Sequence, residues 1–279
     1  MNWRLIPVAA MALLFWASAA CAQNQVSKTV AVAPPELGTP KASDGVTSRP
    51  AYCVGAQPTT LQDITNTPAS PYFVHHPTSV MAEPPTIVFI PGGAGIRRNA
   101  QRAWESYLMG GAGIGSFRIV VPYSANIDFL EEFSRTFEIL DEVRACYGGD
   151  PEKVHIAGFS NGGLAAFALM LQRPDRFATL LGAPGEFAKV NPTAWAKALA
   201  GKAVFNGVGE NDNDWKSEVK ETHDALVSVG IDSVYVEFPG QGHSARAGFD
   251  KNVLFDFWTN HSSIKLTDAP PGKGDDNCR

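Results

Sequence analysis

The segment Gly158–Gly163 reads GFSNGG and contains a G-x-S-x-G pattern centred on Ser160. An apolar run precedes it and a helix-forming stretch follows it. On a sharp turn between a strand and a helix, the serine hydroxyl projects from the sheet edge, and flanking glycines avoid collision with the adjacent backbone. Free N–H groups at the helix start, from Asn161 onward, point to the same place. The pattern predicts a nucleophilic serine at position 160.

A serine hydroxyl becomes a good nucleophile when a neighbouring base takes its proton. The turn after the last predicted strand reads PGQGHS and carries His243, which its glycines can bring back over the sheet edge. A lone loop histidine is most often a surface residue. In a chain that also carries Ser160 in this context, His243 is the predicted base.

The base needs a carboxylate that orients its ring, and the turn at residues 207–214 offers three acids. We favour Asp212, which follows a glycine by three residues in the phrase GENDND, over Asp214 and then Glu210. Solvated loop carboxylates are the alternative. A metal site built from the three acids has little support, and no Cys/His spacing suggests zinc, so we expect neither a metal nor a cofactor.

An attacked carbonyl group becomes an oxyanion, which needs fixed N–H donors. The first predicted donor is Asn161, directly after the nucleophile. The second is expected from the glycine-rich turn PGGAG at residues 91–95. We choose Gly93, with Ala94 as the close alternative; a simple flexible turn is the other interpretation.

These turns must be positioned by strands that alternate with helices. We predict strands at 86–90, 117–121, 154–157, 178–181, 203–206 and 233–238, an edge strand at 72–75, and helices at 97–109, 127–146, 161–172, 192–200, 215–229 and 249–260. This alternation indicates a mainly parallel sheet with helices on both faces. Sites in such sheets lie outside the carboxyl ends of the strands.

The order Ser, Asp, His along the chain is that of the α/β-hydrolases, which residues 72–260 resemble. The phrases GFSNGG, RPDRFA and GENDND resemble secreted esterases of the polyhydroxybutyrate depolymerase and feruloyl esterase type. The resemblance implies a Ser160–Asp212–His243 triad without a cofactor. The chain departs from that family at Pro91-Gly92, where the family often has His-Gly. The stretch between Ser160 and Asp212 leaves no room for a cap domain.

Residues 1–22 have the layout of a secretory signal peptide, with Arg4, an apolar run and small residues before a cut at Gln23. A membrane anchor is the alternative, but the run is short for a span. Lipidation of Cys21 is a further alternative, although Ser18 stands where a Leu-like residue is usual. We expect a secreted or periplasmic protein, with a lipid-anchored form ranked second.

Residues 23–51 are rich in Pro, Ala, Ser, Thr and Gly and predict a flexible linker, and residues 262–279 predict a loose tail. One hydrolase domain remains at 52–261. The 44% hydrophobic residues can bury a core. The net charge of -5 argues against a nucleic-acid partner. No stable membrane span is expected in the mature chain, and the oligomeric state stays open.

Removal of the signal peptide would leave three cysteines, Cys53, Cys146 and Cys278. An oxidising compartment allows one disulfide. Cys53 and Cys278 flank the predicted domain, so we expect a bridge between them; three unpaired cysteines are the alternative. Adjacent His75 and His76 are expected on the surface of an edge strand.

Trp104 and Trp215 follow two of the predicted site turns. Packing is the favoured interpretation for both, and lining a substrate pocket is the alternative.

The leading functional prediction is a secreted serine hydrolase that cleaves carboxylic esters, with an ester substrate that could be polymeric. A peptidase of the prolyl oligopeptidase type would use the same triad, but such enzymes usually carry a large propeller domain, and only the linker precedes the hydrolase unit here. A non-catalytic binding protein on the same fold is the third hypothesis.

Overall fold

The computed structural model describes residues 49–79, 81–125, 129–186 and 192–262. The strands within these ranges form one sheet. They are β1 (Leu61–Ile64), β2 (Tyr72–His75), β3 (Thr86–Ile90), β4 (Arg118–Pro122), β5 (Val154–Gly158), β6 (Thr179–Gly182), β7 (Ala203–Gly209) and β8 (Asp232–Phe238). Their order is β1-β2-β4-β3-β5-β6-β7-β8. β2 runs antiparallel to β1 and β4, and every other pair is parallel.

The helices are α1 (Arg97–Ala103), α2 (Thr136–Tyr147), α3 (Asn161–Gln172), α4 (Pro192–Ala198), α5 (Lys216–Ser228) and α6 (Asn252–His261). A π-helical turn at Trp104–Leu108 follows α1 directly. Short 3₁₀ turns occur at Ile114–Ser116, Phe129–Glu131, Phe133–Arg135 and Pro174–Arg176.

The apolar residues of the central strands divide the core between the two faces of the sheet. β3 reads TIVFI and is buried throughout; Val88 and Ile90 join the cluster that also contains residues of α2, α3, α4 and α5. Ile87 and Phe89 join the opposite cluster, with residues of α1 and α6. Successive side chains of a strand point to opposite faces, so one continuous apolar run serves both layers. The predicted, mainly parallel sheet with helices on both faces is therefore confirmed.

Several predicted elements differ in the structure: the helix expected over 97–109 gives way to a π-helical turn after Ala103, and the helix expected over 249–260 begins at Asn252. The helix expected over 127–146 begins at Thr136, because 3₁₀ turns occupy residues 129–131 and 133–135. The strand at 72–75 is not an edge strand, since β1 lies outside it. His75 and His76 are consequently buried, at 5% and 3% exposure, and the expectation that they lie on the surface was wrong. The strand β1 was not predicted from the sequence, because it is a run of only four residues.

The disulfide joins Cys53 to Cys146, with 5.3 Å between the Cα atoms. The expected Cys53–Cys278 bridge is therefore wrong, and so is the alternative of three unpaired cysteines. The bridge ties the segment before β1 to the last turn of α2. It joins residues 93 positions apart, a distance at which sequence offers no spacing signal.

The predicted signal peptide, residues 1–22, and most of the predicted linker, 23–51, lie outside the described residues. So does the predicted tail beyond Ser262, which is itself buried against the end of α6. Every described helix and strand belongs to the unit that begins at Pro50. Within the described part of the chain, no helix has the length and apolar character needed to cross a bilayer.

Candidate active site

Ser160 occupies a strained turn between β5 and α3. Its φ of 56° lies in the left-handed region that side chains other than glycine rarely adopt. Its N–H donates to the Pro184 carbonyl at 2.8 Å, and its carbonyl accepts from Leu164 at 3.0 Å, so both sides of the turn are held. The strain is maintained by these surrounding contacts and leaves the Ser160 side chain partly exposed at the sheet edge.

The glycines around Ser160 are required by close backbone contact. A Cβ on Gly158 would lie 2.1 Å from the Gly162 carbonyl oxygen, and one on Gly162 would lie 2.1 Å from the carbonyl oxygen of Ile90. A Cβ on Gly163 would lie 2.2 Å from the Pro184 carbonyl oxygen. The turn therefore packs directly against the end of β3 and against the turn after β6, which explains the GFSNGG phrase.

Ser160, His243 and Asp212 form one hydrogen-bonded chain. His243 Nε2 lies 2.9 Å from Ser160 Oγ, and His243 Nδ1 lies 2.8 Å from Asp212 Oδ2. A carboxylate can only accept, so Nδ1 carries the proton and Nε2 is the acceptor for the serine hydroxyl. This is the tautomer that can take a proton from Ser160.

Burial distinguishes Asp212 from its two acidic neighbours. The Asp212 side chain is 3% exposed, whereas Glu210 and Asp214 are exposed. Glu210 instead accepts the N–H of Gly240 at 2.8 Å, within the loop that precedes His243. Gly209 allows the two loops to approach, because a Cβ there would lie 2.2 Å from the Gly242 carbonyl oxygen.

Asn161 and Gly93 are brought together beside Ser160. The side-chain amide of Asn161 donates to the carbonyl of Gly93 at 3.1 Å, and Gly93 has a φ of 64°. Asn161 is the first residue of α3, where helical N–H groups have no partner within the helix. Neither the Asn161 nor the Gly93 N–H donates to a backbone carbonyl of the described residues. The two residues therefore lie together at the turn that carries Ser160.

Two aromatic rings lie beside the imidazole of His243. The Phe159 ring lies 5.2 Å from it and the Trp215 ring 5.5 Å from it, measured between centroids. Trp215 is partly exposed, so the prediction that it serves only for packing does not account for its whole surface. Trp104, in contrast, is 7% exposed and belongs to the core.

Sequence reasoning missed Tyr107 and Gln241, which hold the loop of His243. The Tyr107 hydroxyl accepts the N–H of Ala245 at 3.1 Å, and Gln241 Oε1 accepts the N–H of Arg246 at 2.8 Å. Gln241 lies in the PGQGHS phrase and could have been considered, whereas Tyr107 precedes its partner by 138 residues and has no local signal. Among the described residues, no group of three or more His, Cys, Asp or Glu side chains could hold a metal ion.

No family model matches the chain, and no curated protein matches it. Solved structures do. A ferulic acid esterase from Anaeromyces mucronatus has a TM-score of 0.57 and 14% identity, covering 76% of this chain and 96% of that one. An acetyl xylan esterase from Aspergillus awamori has a TM-score of 0.52 and 13% identity, covering 72% and 99%.

A fluorophosphonate-binding serine hydrolase from Staphylococcus aureus has a TM-score of 0.51 and 14% identity, covering 68% of this chain and 91% of that one. At this level of identity, the three likenesses concern the fold. Together with the strand order and the turn at Ser160, these likenesses identify the fold of the chain as that of the α/β-hydrolases.

Proposed function

We propose that this chain is a serine hydrolase that cleaves carboxylic esters through an acyl-enzyme on Ser160. The observation that carries the proposal is the continuous hydrogen-bonded chain from Ser160 through His243 to the buried carboxylate of Asp212. The strained conformation of Ser160 supports it, because such strain is stored at functional sites.

In the acylation step, Ser160 Oγ attacks the carbonyl carbon of the ester while His243 Nε2 takes the hydroxyl proton. Asp212 stabilises the resulting imidazolium and keeps the ring in place. The carbonyl oxygen becomes negative, and we assign its stabilisation to the N–H groups of Asn161 and Gly93. When the tetrahedral intermediate collapses, the C–O bond to the alcohol breaks, and the alcohol leaves with the proton from His243.

In the deacylation step, His243 takes a proton from a water molecule, whose oxygen attacks the acyl carbon. The second tetrahedral intermediate collapses, the bond to Ser160 Oγ breaks, and the proton returns to the serine. The acid product leaves, and the protein is restored. Every proton is carried by groups of this chain, so the reaction proposed needs no cofactor.

The substrate class that we propose is an ester with a bulky or polymeric partner, of the kind cleaved by feruloyl esterases and polyhydroxybutyrate depolymerases. Two observations support an accessible site. The His243 side chain is 40% exposed. The described chain between Ser160 and Asp212 is occupied by α3, β6, α4 and β7, which form the core layers. Two of the similar folds belong to a ferulic acid esterase and an acetyl xylan esterase.

We also propose that the protein acts outside the cytoplasm. The layout of residues 1–22 supports export, and the Cys53–Cys146 disulfide supports an oxidising compartment, because such bonds are rare in reducing cytosol. Mass spectrometry of the mature N-terminus tests this. We expect a start at Gln23; a diacylglyceryl modification on Cys21 would show a lipid-anchored form, and an intact Met1 would contradict export.

Activity is tested on the mature protein with p-nitrophenyl acetate, butyrate and octanoate, methyl ferulate and a peptide amide, beside Ser160→Ala. We expect ester hydrolysis that Ser160→Ala abolishes, and labelling of the wild type alone by a fluorophosphonate. Hydrolysis that survives Ser160→Ala would contradict the mechanism. Cleavage of the amide without the esters would indicate a peptidase, and inertness with no labelling would indicate a binding protein.

A further inference from the structure

The loop that carries His243 follows β8 and is held in part by side chains. The side chain of Tyr107, from another part of the chain, binds the N–H of Ala245, and the side chain of Gln241, within the loop, binds the N–H of Arg246. Ala245 is two residues from His243, so its bond lies closest to the imidazole. Tyr107 lies in another part of the chain and is 3% exposed.

The ring of Tyr107 also packs against the residue beside the nucleophile. Its centroid lies 5.0 Å from that of Phe159, which precedes Ser160 and which itself packs 5.2 Å from the His243 ring. On its other side, Tyr107 meets Phe249 edge-on at 5.4 Å, where the loop of His243 ends. One side chain thus contacts the neighbour of Ser160 and both the middle and the end of the His243 loop.

The position of Tyr107 is fixed by an uncommon backbone turn. It lies in the π-helical turn Trp104–Leu108, in which the Met109 N–H donates to the Trp104 carbonyl at 2.7 Å. The ammonium group of Lys251 donates to the carbonyls of Glu105 and Met109, both at 2.7 Å. Turns of this kind are rare and occur frequently at functional sites. The Tyr107 ring is therefore held from its own backbone as well as by its neighbours.

The hydroxyl of Tyr107 is the part that core packing does not require. Phenylalanine would fill the same space, and a buried hydroxyl is retained only when it has a hydrogen-bond partner. Burial raises the pKa of Tyr107 well above its usual value, and the charge of Asp212 raises it further, so the hydroxyl stays neutral. A neutral hydroxyl oxygen accepts the Ala245 N–H across the working range of a histidine base.

We infer that Tyr107 is a positioning residue for the proposed reaction: its hydroxyl holds the His243 loop in register with Ser160, while its ring fixes Phe159. This inference rests on the proposed function. Loss of the hydroxyl removes the acceptor of this part-buried Ala245 N–H, which favours a displaced loop. Because a displacement of about 1 Å can cost on the order of 100-fold in rate, even a partial shift of His243 reduces turnover.

The test is Tyr107→Phe, with p-nitrophenyl acetate turnover normalised to active sites counted by fluorophosphonate labelling. We expect kcat per active site to fall about tenfold, less than the 100-fold or more that loss of a general base costs, with KM within about twofold. The rate of labelling should fall by the same factor. A purely structural role would reduce the number of active sites and leave kcat per site unchanged.

Tyr72→Phe is the matched control. Tyr72 is also fully buried and donates its hydroxyl to Glu142 at 2.8 Å, but it belongs to the core cluster on the opposite face of the sheet. We expect this variant to keep wild-type kcat per active site.

A second variant covers the case in which Tyr107→Phe does not fold. Phe249→Leu leaves the hydroxyl in place and loosens the same loop, and we expect a smaller fall in kcat per site. The downfield NMR resonance of the proton on His243 Nδ1 should broaden in both variants. Wild-type kcat and an unchanged resonance in an active Tyr107→Phe protein, or in Phe249→Leu where the first does not fold, would overturn the inference. A wild-type protein that neither turns over esters nor labels would instead mean that the proposed function has failed.

Discussion

The carboxylate of Asp212 is 3% exposed and lies 2.8 Å from Nδ1 of a His243 side chain that is 40% exposed. In the proposed reaction, this arrangement shields the acid from water and leaves the base accessible to a substrate. Shielding strengthens the interaction between a carboxylate and an imidazolium, because the local dielectric constant is low. An exposed imidazole, in turn, can exchange protons with a leaving group and with water.

The first prediction distinguishes Asp212 from Asp214. Asp212→Asn should lower kcat by about 10³- to 10⁴-fold, because an amide no longer holds the required tautomer. Asp214→Asn should stay within about twofold of the wild type, since exposed carboxylates contribute little. Steady-state kinetics on p-nitrophenyl butyrate measures both. A larger loss at position 214 would reassign the acid.

The second prediction concerns the side chain of Asn161, which donates to Gly93 O at 3.1 Å. Asn161→Ala keeps the backbone N–H but releases the turn that carries Gly93. We expect kcat to fall about tenfold, below the 10²–10³ expected for loss of a whole oxyanion donor. Asn161→Asp should lose at least as much, because it removes the donor and adds a negative charge beside the oxyanion. Wild-type kcat in both variants would contradict a role of the Asn161 side chain in positioning the Gly93 turn.

The third prediction tests the close contact at Gly158. Gly158→Ala places a methyl group 2.1 Å from the carbonyl oxygen of Gly162. We expect a loss of about 3 kcal/mol or more in the free energy of unfolding, at the upper end for overpacking, together with loss of ester hydrolysis. Gly55→Ala is the control, since a Cβ there meets nothing within 4 Å. Equal urea midpoints for the two variants would contradict the close packing of the turn.

The fourth prediction concerns the disulfide. Cys53→Ser and Cys146→Ser should each lower the free energy of unfolding by about 2–4 kcal/mol, and the double variant should lose no more than either single one. Cys278→Ser should leave the melting temperature unchanged under oxidising conditions. The opposite pattern, with sensitivity at positions 53 and 278, would restore the pairing expected from sequence.

The fifth prediction concerns the pH dependence of stability. His155 is fully buried; its Nε2 lies 2.9 Å from Ser262 Oγ, and its Nδ1 lies 2.9 Å from Thr179 Oγ1. Burial, and then the nearby His261, lower the pKa of His155 to about 3. Below pH 6.5 the unfolded chain binds a proton that the folded chain excludes. The part of the stability that depends on His155 is therefore full above pH 6.5 and falls by about 1.4 kcal/mol per pH unit between pH 6.5 and about 3.

Urea unfolding between pH 4 and 7 measures this slope. His155→Gln should lower it by about one proton's contribution, because the variant has no imidazole to charge. Burial also lowers the pKa of His75, so a residual slope of the same sign should remain. Identical slopes in the wild type and His155→Gln would contradict the account.

Much of the fold could be predicted from local patterns. The strands β3 and β5 are short apolar runs followed by glycine-rich turns, and runs of this kind are typical of parallel strands buried on both faces. Ser160, the acidic loop and His243 follow β5, β7 and β8, and the carboxyl ends of parallel strands meet at one edge, so their proximity is predictable. The position of Gly158 also has a local reason, because a Cβ there would meet Gly162 in the same turn, whereas Gly162 packs against Ile90 of β3.

The sequence by itself thus determined the fold class, the serine turn, and the histidine and acid loops that lie near it. The sequence could rank Asp212 above Asp214, but it gave no physical difference between them. That difference is burial, and it arises when the loops after β7 and β8 pack together. The burial of His75, the Cys53–Cys146 bond and the contact of Tyr107 with the His243 loop were decided by tertiary structure alone. Each joins segments far apart in sequence, and only the folded backbone sets the distance between them.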